Sequence, residues 1–261
     1  MADASSPRPR IPPGVHVPIM VAEVLQCLRP APGDIVVDAT FGGGGHARAL
    51  LAAVQPGGVL VGLDVDASTL GPAAAALRAE GWGPDTLRVH PANFTALQDV
   101  LRGEGLASAD VILADLGVSA MQFDAPPRGF SYKGVGPLDM RLDATRGEPA
   151  SELLRRVSVE ELAHALATHA DEPLAAPIAA ALHAARPTTT HAAEKVVRAA
   201  VLVARPDVVR SEVKASVRRT FQALRIAVND EFAALDAFLA ALPACLAPGG
   251  RAAVLTFHSG E

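Results

Sequence analysis

The sequence predicts a doubly wound, mostly parallel α/β sheet carrying an inserted helical block, and three observations predict it. Four apolar runs bounded by turn residues alternate with helical stretches at the spacing of βαβ units. Three of these runs end in a carboxylate, at Asp38, Asp64 and Asp115. A strand-free, alanine-rich stretch then separates the fourth run from a fifth.

The chain is organised around the stretch from Asp34 to Arg48. Ile35 to Val37 reads as a buried strand covered on both faces, and a helix opens near Gly45. The glycines between them let the backbone turn sharply and approach a ligand with no Cβ in the way. Such a loop sits where open α/β sheets bind ligands, outside the carboxyl ends of the strands. Gly42-x-Gly44-x-x-Ala47 matches the loose dinucleotide pattern, a weak signal alone. A pyrophosphate would want backbone N–H groups with no carboxylate nearby, whereas Asp38 favours a ligand carrying an ammonium and a sulfonium. The second strand, Val59 to Asp64, delivers a carboxylate placed to take two ribose hydroxyls. Two acids flanking a glycine loop lean towards S-adenosyl-L-methionine over NAD, against the plainer alternative of a turn with surface acids.

Composition sets the outer bounds. A chain of 261 residues can hold one large domain, or a domain with an insert, around a sizeable core. A net charge of −5 excludes a uniformly basic nucleic-acid binder but not a local basic face. Cys27 and Cys245 lie far apart and lack metal-ligand spacing, so neither a disulfide nor a metal site is expected. No apolar run approaches the roughly 20 residues that a membrane helix needs. Met1 to Pro13 has no apolar signal core and reads as a disordered tail, which makes the cytoplasm the expected location.

In chain order, Val17 to Leu28 reads as a first helix, stopped by Pro30 and the Pro32-Gly33 turn, with His16 just before it. Thr69 to Glu80 is helical, and Thr86 to His90 is a short third strand. Phe94, just beyond, offers a flat apolar face for an adenine, or equally an anchor for the next helix. The fourth strand runs from Ala109 to Asp115. Val118 to Met140 then breaks the rhythm with glycines, prolines, Phe130 and Tyr132, as functional loops do. From Ser151 to about Val203 the sequence is helical, with breaks expected at Pro173, Pro177 and Pro187 and an N-cap among Thr188 to Thr190. Cations outnumber acids between Arg186 and Arg225, which suggests a polyanion-facing surface that includes Arg218 and Arg219. Val217, Phe221, Leu224, Val228, Phe232, Leu235, Leu239 and Leu242 recur at steps of three and four, predicting one long amphipathic helix. Arg218, Gln222, Arg225 and Asn229 form a second, polar stripe on it. Ala252 to Phe257 is the fifth strand, with His258 and Ser259 at its carboxyl end.

The motifs together resemble one family. Asp38-Ala-Thr-Phe-Gly-Gly-Gly-Gly-His46, Leu113-Ala-Asp-Leu-Gly-Val-Ser119, Arg128-Gly-Phe-Ser131, Pro137-Leu-Asp-Met-Arg141, Arg219-Thr-Phe-Gln-Ala-Leu-Arg-Ile226 and Phe257-His-Ser259 occur in the order found in the bacterial N4-cytosine methyltransferases of small-subunit ribosomal RNA, the RsmH or MraW family. The resemblance implies a Rossmann-like class I methyltransferase sheet with a helical insert, and S-adenosyl-L-methionine as donor. It implies a catalytic domain over 14–124 and 215–261 and a substrate-recognition insert over 125–214. Its partners would be small-subunit ribosomal RNA or the assembled small ribosomal subunit, with a homodimer as a further expectation. On matching positions the cofactor contacts would be Gly44, Gly45, His46, Asp64, Phe94, Asp115 and Gln122; His46 and Gln122 rest on the resemblance alone. The chain departs from the family pattern at Ser119-Ala-Met-Gln122 and Lys214-Ala-Ser-Val-Arg218. It also stops at Glu261, before a strand pair that the family carries, which predicts either an exposed apolar edge at the fifth strand or a sequence shorter than the natural product.

A sulfonium donor is already activated, so the protein mainly supplies alignment. The acceptor is the harder half, because the lone pair of cytosine's exocyclic amine is delocalised into the ring. Acceptors holding its N–H groups would favour the reactive geometry. An Asp-Pro-Pro-Tyr type motif is absent, and Asp115-Leu-Gly-Val takes its place, with Asp115 positioning the cofactor. Asp139, Arg141, Asn229 and His258 are the candidate catalytic groups for a cytosine splayed from its stack. The competing readings are an NAD-dependent oxidoreductase, and an impaired paralogue or RNA-binding assembly protein that keeps the fold.

Overall fold

The computed structural model describes residues 18–258, so the expectations for Met1 to Pro13, for His16 and for Ser259 lie outside the described residues. Five parallel strands form one sheet in the order β3-β2-β1-β4-β5. They are β1 (Ile35–Asp38), β2 (Val59–Asp64), β3 (Leu87–Pro91), β4 (Ala109–Asp115) and β5 (Leu246–Leu255). Neighbouring residues of one strand feed opposite faces. Val36, Leu60 and Leu113 pack with the helices α1 (Val21–Leu28), α2 (Gly45–Ala53) and α3 (Ala67–Ala79). Val37, Val61 and Ile112 pack with α4 (Leu97–Gly103) and with a later helix over 231–245. A sheet covered on both faces is the doubly wound architecture expected, and its strand order reverses at β1, between β2 and β4.

Close packing at that point depends on one glycine. Gly62, the register partner of Asp38, carries the buried Phe41 ring, and a Cβ there would lie 2.3 Å from Phe41 Cδ2. Any side chain at this position would push the glycine loop out of place.

After β4 come the single turn α5 (Ala120–Phe123) and a 3₁₀ turn over Pro126–Arg128. Then follow α6 (Ala150–Arg156), α7 (Val159–Ala170), α8 (Ala175–Ala185), α9 (Thr190–Ala204) and α10 (Arg210–Asn229). Their apolar stripes close on one another, with Leu154, Leu166, Ile178, Leu182, Val197, Val217, Phe221 and Leu224 in a core separate from those of the sheet. Side-chain caps mark the starts of α7 and α9. Ser158 and Glu161 form a capping box on α7, and Thr189 accepts the Ala192 N–H at 3.2 Å to start α9. Pro177 does not break the chain as expected; it lies inside the first turn of α8, where its missing N–H costs nothing.

The single long helix expected across Val217 to Leu242 is two helices. Asp230 adopts a left-handed conformation (φ 50°, ψ 44°), ending α10 and beginning α11 (Glu231–Cys245). Beyond the bend the expected stripe slips by one, leaving Leu239 exposed and burying Phe238, and its halves face different cores. Val217, Phe221 and Leu224 serve the helical cluster, whereas Leu235 and Phe238 pack on the sheet. The basic segment is also thinner than its composition suggests. Arg219 is tied to the buried Glu172, Arg225 to Glu231 and Arg198 to Glu194. Among the described residues no helix is long and apolar enough to cross a membrane.

Candidate cofactor and substrate cavity

The carboxyl ends of the strands open into a cavity of about 460 Å³, within the range of small-molecule sites. Asp64 and Asp115 stand on its wall, but Asp38 does not. Asp38 is 1% exposed beneath the glycine loop, where Oδ1 accepts the Thr40 N–H at 3.2 Å. Burial, with the charges of Asp64 and Asp115 adding to it against the Thr40 bond, pushes its carboxyl up to about 7. The expectation that Asp38 meets a cationic ligand therefore passes to Asp115, whose N–H is held by Thr40 Oγ1 at 2.6 Å.

Asp64 is held on both sides: Oδ2 accepts the Gly42 N–H at 2.6 Å and Oδ1 the Asp66 N–H at 2.8 Å. Burial raises its pKa, opposed by those two bonds. Of the glycine loop, Gly42, Gly43 and Gly45 line the cavity, and a Cβ at Gly45 would come within 2.8 Å of the Pro18 ring. Gly44 acts through its backbone, since its left-handed conformation (φ 74°) launches α2. His46, 6% exposed, places Nε2 3.7 Å from Asp115 Oδ2, and burial lowers its pKa. Phe94 lines the cavity and packs edge-on against Phe238 of the helix over 231–245, ring centroids 5.2 Å apart. Gln122 is on the wall with its amide engaged: Nε2 donates to Asp66 at 2.8 Å, and Oε1 accepts the Ser119 N–H at 3.0 Å.

The four candidate catalytic groups do not converge. Asn229 stands on the wall, but its Oδ1 accepts the Leu142 N–H at 2.7 Å and its Nδ2 donates to the Met140 carbonyl at 2.8 Å. Asp139 and Arg141 are not on the wall; they form a two-pronged pair with each other, both bonds 2.8 Å. Burial would raise the Asp139 pKa, but its bonds from Arg141 win and hold it below the usual carboxylate range. His258 packs on Phe232, ring centroids 5.9 Å apart, and it is Phe232 that faces the cavity.

The sequence reading missed Glu231, Phe232 and Asp66. Glu231 takes both prongs of Arg225 at 2.8 Å on the cavity wall, a pair hidden as long as the helix was read straight through Asp230. Asp66 was findable as the N-cap of α3, two residues before Ser68.

These residues suit a cofactor with a ribose, an aromatic base and a cationic amino-acid end. Two carboxylates and a ring share one cavity, and the loop between them has no room for a Cβ at Gly45. Among the described residues no cluster of histidine, cysteine or carboxylate could hold a metal.

The model of the MraW methylase family matches residues 14–261. A protein of Lachnoclostridium phytofermentans named ribosomal RNA small subunit methyltransferase H 1 is 42% identical over 96% of this chain and 69% of its own length. Proteins named ribosomal RNA small subunit methyltransferase H from Anaeromyxobacter sp. (strain K) and Myxococcus xanthus are each 44% identical over 94% of this chain. The match covers 77% and 76% of their respective lengths.

Proposed function

Because the chain belongs to the MraW methylase family, it is an S-adenosyl-L-methionine-dependent methyltransferase acting on N4 of a cytidine in small-subunit ribosomal RNA, and we propose how its residues divide that work. Asp64 takes the ribose hydroxyls, Phe94 covers the adenine, and the Gly44-Gly45 backbone shapes the turn beside them. Asp115, with His46 behind it, faces the cationic amino-acid end, and Gln122 fixes the adjoining wall. The observation that carries this reading is the gathering of Asp64, Phe94 and Asp115 in one cavity at the point where the strand order reverses.

The cofactor supplies a methyl group already activated on sulfur. The protein's task is alignment and exclusion of water from the transfer path. Asn229 holds the Met140–Leu142 stretch, and with it Leu142, the part of it on the wall next to the incoming base. Asp139 and Arg141 stiffen that stretch, and His258 acts through the Phe232 ring against which it packs. We divide the molecule into a sheet lobe and a helical lobe. The helical lobe, expected to end at 214, extends to Asn229, since α10 runs unbroken and packs its buried residues there. Methyl transfer to unmodified small subunits, and separately to free ribosomal RNA, with N4-methylcytidine read in the digested product, tests the assignment. RNA binding without turnover would favour the fold-retaining assembly protein instead.

Asp64→Ala should weaken S-adenosylhomocysteine binding by about 1.5–3 kcal/mol, the worth of charge-assisted hydrogen bonds. Calorimetry on the folded variant that returned the wild-type affinity would remove Asp64 from the cofactor site.

The RNA track falls to the exposed cations of α10, namely Arg210, Lys214 and Arg218, which recur every four residues along one face leading towards Asn229. Lys214→Gln/Arg218→Gln should flatten the dependence of log affinity on log salt by about 1–2, because fewer counterions are released. Cofactor affinity should hold. An unchanged slope would place the basic surface elsewhere.

A further inference from the structure

One line of hydrogen bonds joins Asp64 to Leu142, both on the cavity wall. Asp64 accepts the Asp66 N–H at 2.8 Å. The Asp66 carboxylate, 4% exposed, accepts from Ser68, Gln122 and Arg128. Burial would raise its pKa, yet these bonds hold it down to about 2, so it is a full anion facing Arg128. Arg128 reaches further. While Nη1 holds Asp66, Nη2 donates to the carbonyls of Arg141 at 2.9 Å and Leu142 at 2.8 Å. Leu142 is on the cavity wall, and Asn229 grips the same stretch from the other side. Between them Met140 is held at φ 66°, and its N–H donates to the Arg128 carbonyl at 3.0 Å. A planar fork reaches the carboxylate and the two carbonyls from separate nitrogens, whereas a lysine ammonium has all its donors on one atom.

We propose that Arg128 is a positioning residue that couples the two halves of the site: occupation of Asp64 by the cofactor stiffens the Asp64–Asp66 turn, and through Arg128 fixes the Met140–Leu142 stretch, and so the Leu142 wall beside which the target nucleotide docks. The proposal rests on the Asp64 assignment above. Cofactor and RNA then bind with positive coupling, since the second ligand meets a wall whose ordering cost is already met. The coupling is reciprocal.

The test measures S-adenosylhomocysteine affinity of the full chain with and without saturating unmodified small subunits. In the wild type the ratio of the two affinities should be about tenfold. Arg128→Lys keeps a cation beside Asp66 but loses the fork. Its ratio should fall to about one, with affinity for S-adenosylhomocysteine alone kept within about threefold. A wild-type ratio of one, or an unchanged ratio in the variant, overturns the coupling. So does a parallel loss of both affinities with the ratio kept, which a merely structural arginine would produce. Should Arg128→Lys fail to fold, Asp66→Asn weakens the same link and is read the same way. A wild type that methylates small subunits and loses cofactor affinity on Asp64→Ala, yet shows no coupling, sinks this inference alone. Unchanged cofactor affinity in Asp64→Ala sinks the underlying assignment with it.

Discussion

Arg219→Met is expected to destabilise the fold by about 3–5 kcal/mol, the cost of leaving a buried charge without its partner. The Glu172 side chain is fully buried, at 0% exposed, beneath α10. Its Oε2 takes Arg219 Nε at 2.8 Å, while Oε1 accepts from Ser216 Oγ at 3.1 Å and the Leu174 N–H at 3.0 Å. Methionine fills similar volume but offers no donor, so the carboxylate would stay in the core unpaired or draw water in. Removing both partners, in Arg219→Met/Glu172→Met, should cost less than the single change, because no ion is then stranded. Denaturant unfolding of the three variants gives the numbers. A loss below about 1 kcal/mol for Arg219→Met would mean that the pair behaves as a solvated surface bridge. Composition had assigned Arg219 to an RNA-facing surface; its neighbour Arg218 remains exposed and free for that role.

Asp38→Asn is expected to stabilise the protein at pH 8 and to leave it nearly unchanged at pH 4. The Asp38 carboxyl titrates near 3.8 in the unfolded chain and is pushed up to about 7 in the fold, burial being the largest cause. Between those values the folded protein binds more protons than the unfolded one. Its stability therefore falls as pH rises from about 4 to 7 and stays at the lower level above. Asparagine keeps an acceptor for the Thr40 N–H and removes the ionisation. The interval corresponds to ~4 kcal/mol, and local relaxation makes about 2–4 kcal/mol the gain to look for at pH 8. Asp64 is shifted in the same direction, so the wild-type profile alone does not isolate Asp38. The difference between wild type and variant does, and parallel profiles would show that Asp38 does not titrate in this range.

Four of the five strands were legible because their signals are local: apolar runs of four to seven residues, each closed by an acid or a turn, report strand and strand end together. In contrast β5, expected over Ala252 to Phe257, starts at Leu246, before the Pro248-Gly249-Gly250 turn residues, and ends at Leu255. Asp64, Phe94 and Asp115 share a cavity because parallel strands bring their carboxyl ends to one edge, which spacing alone predicts. The substrate side was not legible in the same way. Asp139 and Arg141 lie two residues apart in a loop, and whether they face each other or the cavity depends on the left-handed Met140 between them. Nothing in residue type announces that conformation. Asp230 hid the break between α10 and α11 for a related reason: the apolar period of the sequence continues through it while the backbone turns. Arg219 illustrates the limit of charge counting, since a cation beside a buried glutamate looks no different in sequence from one facing solvent.

That bend at Asp230 has a consequence for how the molecule can vary. One residue carries the chain from the last turn of α10, seated in the helical lobe, to the first turn of α11, seated on the sheet. No linker absorbs a change in length there. Adding or deleting one residue would swing every following side chain of α11 by about 100° around its axis. Phe238 would leave its place against Phe94, and Phe232 would turn from the cavity. Length changes accumulated over evolution should spare this joint and collect in the α9–α10 turn, at the far end of α10.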